Sequence, residues 1–136
     1  MDFLKSISVA ASGLQAQSGR MRVISENIAN AQSTGRTPGS DPYRRHVPTF
    51  KAHFDRELKA NVVSLGRMEM DQTPFPTKYE PGHPAADAQG YVKMPNVNTL
   101  IEVADMREAQ RSYEANLNVV TSTRAMMART LDILRA

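Results

Sequence analysis

The chain has 136 residues, a net charge of +3, 40% hydrophobic and 23% charged residues, and no cysteine. That length allows one ordinary domain or an elongated protein with a small attachment, and the composition excludes wholesale disorder. Neither disulfides nor thiolate metal sites hold this fold together, and no apolar run approaches the roughly 18 residues of a transmembrane helix.

The opening stretch "MDFLKSISVAASGL" lacks the basic start and compact apolar block of a cleaved secretory signal, so the mature protein is expected to begin at or near Met1. From about Asp2 to Ala31 the pattern predicts a helix. Ile7, Leu14, Met21 and Ile28 recur every seven residues, with Phe3, Ala10, Gln17 and Ile24 as a companion row. Gly13 and Gly19 interrupt it, each at a cost of about 1 kcal/mol relative to alanine. Such a helix needs a partner, and "SGLQAQSG" reads as a site of close helix packing. The segment "ISENIANAQSTG" ends the helix, with Gly35 as the expected terminator. Asn27 and Asn30 flank the seam residue Ile28 and are expected to bridge the helix ends of neighbouring subunits.

All eight prolines lie between Pro38 and Pro95. Proline removes a helix hydrogen bond and clashes with the preceding turn, so this middle region is expected to be strand and loop. "YRRHVPTFKAHF" alternates in part, "NVVSLGRMEM" and "FPTKY" resemble short strands, and Tyr91 to Met94 reads as one more. Residues 36–59 hold six basic and three acidic side chains, so the basic excess is one short patch. Arg44, Arg45, Lys51, Arg56 and Lys59, interleaved with Tyr43, Phe50 and Phe54, give an alternative reading as a small basic single-stranded nucleic-acid-binding module.

From Asn96 to the end there is neither proline nor glycine, and a second helix is expected. Met106, Tyr113, Val120, Met127 and Leu134 form one seven-residue row, and Val103, Gln110, Leu117, Arg124 and Leu131 the other. Thr99 and Glu102 have capping-box spacing, with Asn96 and Asn98 as rival caps. About 35 residues make a rod on the order of 50 Å long. The expected fold is α+β. Residues 1–35 and 96–136 form terminal helices paired as an antiparallel or coiled-coil-like rod, and residues 36–95 form a small β-hairpin and loop module.

Chemistry is poorly represented. His46 and His53 near Asp55 and Glu57 suggest a metal site, but lack the convergent short spacing that zinc requires. There is no G-x-S-x-G elbow and no phosphate-cradling GxxxxGK[ST] loop. No catalytic, metal or cofactor residue is expected, and the chain is not expected to be an enzyme.

"SGLQAQSGRMRVISENIANAQSTG", with its S-x-N-I-A-N element followed by threonine and glycine, resembles the N-terminal signature of the flagellar axial proteins, the rod, hook and filament-associated family. "PYRRHVPTF", "YEPGHPAADAQGYVKMPNVN" and "SYEANLNVVTSTRAMMARTLDI" are similar, in order, to its rod members, so the resemblance extends over nearly the whole chain. It implies a structural subunit of the basal-body proximal rod that transmits torque and lines the export channel. It implies periplasmic assembly after type III export without signal cleavage. The implied partners are the rod proteins FlgB, FlgF, FlgG and FliE, the MS-ring protein FliF and copies of the chain itself. Subunit contacts are expected at Ile7, Leu14, Met21, Ile24, Asn27, Ile28, Asn30, Tyr113, Leu117, Val120, Met127, Leu131 and Leu134. One departure stands out: "GRTPGSDP" intervenes before Tyr43, where many relatives run directly into the next strand.

Overall fold

The computed structural model describes residues 2–136. In chain order the elements are α1 (Phe3–Ala29), β1 (His46–Val47), β2 (Phe50–Asp55), β3 (Ala60–Leu65), β4 (Glu69–Met70), β5 (Thr77–Tyr79), β6 (Tyr91–Lys93) and α2 (Thr99–Arg135). The architecture is two long helices with short antiparallel strand pairs between them, an α+β arrangement. The three ladders are β1–β4, β2–β3 and β5–β6, each two-stranded.

The helix ends follow side-chain hydrogen bonding. Asp2 caps α1 by accepting from the Lys5 N–H at 3.1 Å. The helix stops at Ala29, well before the expected terminator Gly35. Asn30 closes it by donating from Nδ2 to the Glu26 carbonyl at 2.9 Å, while its Oδ1 accepts from the Ser33 hydroxyl at 3.1 Å. Gly35 does not adopt a positive φ; among the described glycines Gly39 and Gly90 do. At α2 the capping-box reading also gives way. Asn98 Oδ1 accepts from the Leu100 and Ile101 N–H groups at 3.1 and 3.4 Å, so Asn98 is the cap, and Glu102 turns to other partners.

The chain divides into two compact units. Of the described residues, unit 1 holds 2–21, 49–66 and 107–136. Its β2–β3 hairpin pairs from Phe50↔Leu65 to Asp55↔Ala60, and Asp55 Oδ1 ties the turn by accepting from the Glu57 and Leu58 N–H groups. The hairpin rests on α1: the Val63 N–H donates to Ser12 Oγ at 3.3 Å, and Lys5 Nζ to the Lys59 carbonyl at 2.7 Å. Both helical glycines permit close approach, Gly13 to the other helix as expected and Gly19 to the hairpin instead. A Cβ at Gly13 would sit 2.8 Å from Asn116 Nδ2, and one at Gly19 2.6 Å from Leu65 Cδ1. Arg20 pairs with Glu108 at 3.2 Å, so within this unit the two helices run in opposite directions.

Unit 2 holds residues 22–48 and 67–106. "GRTPGSDP" folds into a closed loop whose ends meet where the Tyr43 N–H donates to the Ser33 carbonyl at 3.0 Å. Inside it, Thr37–Pro38–Gly39–Ser40 is a tight turn with the Ser40 N–H bonded to the Thr37 carbonyl. Pro38 presets the first corner, and Gly39 takes φ +81° at the second. The loop therefore bulges out and returns to Ser33 at Tyr43. In β5–β6, Thr77↔Lys93 and Tyr79↔Tyr91 are paired, and Val92 is buried.

Candidate assembly site

The most fully buried large side chains are Val23, Val92, Asn27 and Glu102, two apolar and two polar. Burying polar groups is tolerated only when they are bonded, and in unit 2 they are. Asn27 Nδ2 donates to the His46 carbonyl (2.8 Å) and to Glu102 Oε2 (3.1 Å). Its Oδ1 accepts from the Tyr43 hydroxyl (2.8 Å) and the His46 N–H (3.0 Å). The carboxamide suits this place because it alone offers two donors and two acceptor positions on one short stem. Asn27 was expected at a subunit contact. It has no accessible surface in the chain and spends its polar groups internally.

Arg45 completes the node. Its Nε donates to Glu102 Oε1 at 2.5 Å, and its other nitrogens lie 3.5 Å from Asp71 Oδ2 and 3.7 Å from Asp105 Oδ2. Burial pulls the guanidinium pKa down, but the bond to Glu102 and the charges of Glu102, Asp71 and Asp105 hold it above its ordinary value. Burial, reinforced by the Glu26 and Glu102 charges, raises the Tyr43 phenol. The Thr73 N–H and hydroxyl, aided by Arg45, hold the Asp71 carboxyl below its ordinary value. Asn96 braces the same corner, accepting from the Arg45 N–H at 2.8 Å and donating to the Asp71 carbonyl at 3.0 Å. The node thus locks the end of α1, the β1–β4 ladder and the start of α2 into one register.

The residues proposed from sequence for metal and nucleic-acid chemistry have other work. His46 faces Tyr43, with ring centroids 5.2 Å apart, and Asp55 serves the hairpin turn. Among the described residues, no three His, Asp or Glu side chains gather as a metal site requires. Arg44 stacks 4.2 Å over the Phe75 ring and donates to the Asp71 carbonyl, and Arg45 is committed to the node, so the basic patch is divided.

The helix faces differ from the heptad reading. On α2 the buried residues are Glu102, Ala109 and Thr123, with half-buried Asn116 on the same seven-residue spacing. That row lies one position before the expected Val103, Gln110, Leu117, Arg124 and Leu131, all of which are exposed. In unit 1 Asn116 lies against Gly13 of α1 and bonds back to the Ser112 carbonyl, and in unit 2 Glu102 is bonded to Asn27 and Arg45, so polar positions take the inward row. Of the expected contact residues, Ile24 and Asn27 are buried. Ile7, Leu14, Met21, Ile28, Asn30, Tyr113, Val120 and Met127 are half-buried, and Leu117, Leu131 and Leu134 are exposed.

Comparison with known proteins places this geometry. Residues 7–35 match the family model of flagella basal body rod proteins, and residues 88–133 match that of the flagellar basal body rod FlgEFG protein C-terminal region. The flagellar basal-body rod protein FlgC of Agrobacterium fabrum is 54% identical over 137 residues, covering 100% of this chain and 99% of its own length. The chain belongs to the FlgC family. FlgC of Borreliella burgdorferi is 41% identical over 152 residues, covering 99% of both chains, and that of Salmonella typhimurium 40% over 134 residues, covering 98% of both. As a FlgC-family member, the chain is a structural subunit of the flagellar basal-body rod. The nucleic-acid reading is not supported. Both matched segments carry node residues, Asn27 in the first and Asn96, Glu102 and Asp105 in the second.

Sequence reasoning missed Glu102 and Arg45 as a node pair. An acid in the first turn of a helix reads locally as a cap, and its partner lies 57 residues away. The one available signal was Asn27 itself, a carboxamide beside the seam residue Ile28.

Proposed function

We propose that copies of this chain assemble head-to-tail in the proximal rod, where they transmit torque and line the export channel. The observation that carries this reading is the apolar face that α2 leaves uncovered. Leu117 is 46% exposed, Leu131 55% and Leu134 77%; Val119, Met126 and Ile133 form a second open row on the far side of the same helix. Burying such a face is favourable, and subunits repeated about a screw axis cover one another's faces through heterologous contacts. Coiled-coil pairing of the terminal helices belongs to the same proposal. Residues 1–35 and 96–136 supply the assembling core, residues 36–95 pack outside it, and the half-buried rows flank the contact. The role is mechanical rather than catalytic. The partners are further copies, the rod proteins FlgB, FlgF, FlgG and FliE, and the ring protein FliF. The chain travels by type III export without signal cleavage and assembles in the periplasm.

Substituting Leu117→Asp or Leu131→Asp tests this reading. Both positions are exposed in the single chain, so folding is spared, while either carboxylate would become an unpaired charge in a covered contact. Basal bodies isolated from either strain should lack the chain, and the cells should not swim. Normal motility in both strains would remove the proposal.

A further inference from the structure

In unit 1, α1 and the β2–β3 hairpin border a groove of ≈ 420 Å³, walled by Val9 and Ala16 on the helix and by Phe50 and Val62 on the hairpin. No charged side chain lines it, and Gln17 does. Among the described residues, Gln17 Oε1 is the buried side-chain polar atom left without a hydrogen-bond partner. A glutamine amide turns easily about its last torsion, so this oxygen can be presented to the groove if a donor arrives there.

We propose that the groove receives Arg124 of a second copy of the chain, donating to Gln17 Oε1, with Leu117 and Leu131 packing beyond its two ends. The inference rests on the rod-subunit reading, since it needs copies repeated in one assembly. The row and the groove are complementary. Two exposed leucines flank a long cationic donor on one side, and apolar walls flank an unmatched acceptor on the other. Arg124 is exposed and enters none of the ion pairs found among the described residues. Its alkyl stem covers apolar surface while the guanidinium reaches for acceptors.

The same chain cannot make this bond. Gly13 faces Asn116 where the helices run oppositely. At 1.5 Å per residue, Arg124 lies about 12 Å to one side of that crossing and Gln17 about 6 Å to the other, roughly 18 Å apart. Groove and row are different surfaces of one subunit. Repeated about the screw axis of the rod reading, this contact is heterologous and propagates from copy to copy.

Disulfide trapping tests this cleanly because the chain has no cysteine. A Gln17→Cys chain and an Arg124→Cys chain are co-expressed in motile cells, and isolated basal bodies are oxidised. The expected result is a dimer-sized band that requires both variants. Asn61→Cys, on the exposed part of the groove lining, repeats the test with Arg124→Cys should the inner position disturb folding. Variants that reach basal bodies yet form no mixed disulfide from either groove position overturn the groove proposal and leave the rod reading standing. Bands from one variant alone, or links only to another rod protein, overturn it equally. Absence of the unmodified chain from basal bodies would overturn the rod reading itself.

Discussion

Replacing Asn27 with alanine is the sharpest test of the polar node. The substitution deletes four hydrogen bonds, but their losses are unequal. Tyr43 keeps an alternative partner in His46 Nδ1 at 3.2 Å, and Glu102 keeps Arg45. The His46 N–H and carbonyl lose the bonds to Asn27, at 3.0 and 2.8 Å. A buried backbone group left unpaired costs about 1–3 kcal/mol. Both bonds are only part-buried, so water recovers some of this, and the two together cost about 3 kcal/mol. Against a total stability of about 5–15 kcal/mol for a typical domain, that is a large fraction.

Asn27→Asp separates bonding from packing. It preserves shape and the acceptor, but sets a carboxylate oxygen where Nδ2 lay 3.1 Å from Glu102 Oε2. At an effective dielectric of ~20, two such charges repel by about 5 kcal/mol. Repulsion raises the introduced carboxyl above its unfolded value of ~3.9, so the folded state binds the extra proton more tightly. Stability of this variant should therefore recover as pH falls from neutral toward that raised value. Urea unfolding of the full chain, followed by circular dichroism at several pH values, measures both effects. An alanine variant with an unchanged midpoint would refute the reasoning, as would an aspartate variant more stable than alanine at neutral pH.

Two further predictions concern the same region. Burial and the Glu26 and Glu102 charges raise Tyr43 above its ordinary 10.0, so the stability it contributes is complete below pH 10.0 and lost as pH rises through the folded value. A spectrophotometric alkaline titration should show one late phenolate step that Tyr43→Phe abolishes; an unchanged titration curve would count against it. Asn98→Ala should cost about 1 kcal/mol through loss of the α2 cap, while Thr99→Ala should change little. Urea midpoints in the reverse order would return the cap to Thr99.

Much of this chain is readable locally. Proline placement confined the helices to the two ends, because a ring that removes an N–H breaks any helix in which it falls. The family likeness was carried by contiguous motifs and needed no folding. Helix ends were less readable. Gly35 looked like the terminator of α1, but Asn30 stops the helix sooner by turning its side chain back on the Glu26 carbonyl. Such local competition between side chain and backbone is decided by geometry that composition does not reveal.

Short-range backbone chemistry and motif order are enough to specify two proline-free helices, a broken β middle and a rod-subunit likeness. Which face of each helix turns inward was decided only in three dimensions. Seven-residue spacing gave several possible stripes on α2, and hydrophobicity favoured the branched residues. Instead, in unit 1 Ala109 is buried and Asn116 lies against Gly13 of α1, while in unit 2 Glu102 found Arg45 and Asn27. Leu117 and Leu131 were thereby left outward. Asn27 likewise passed from a presumed outward contact to the buried centre of the node, because its partners are brought to it from segments far apart in the chain.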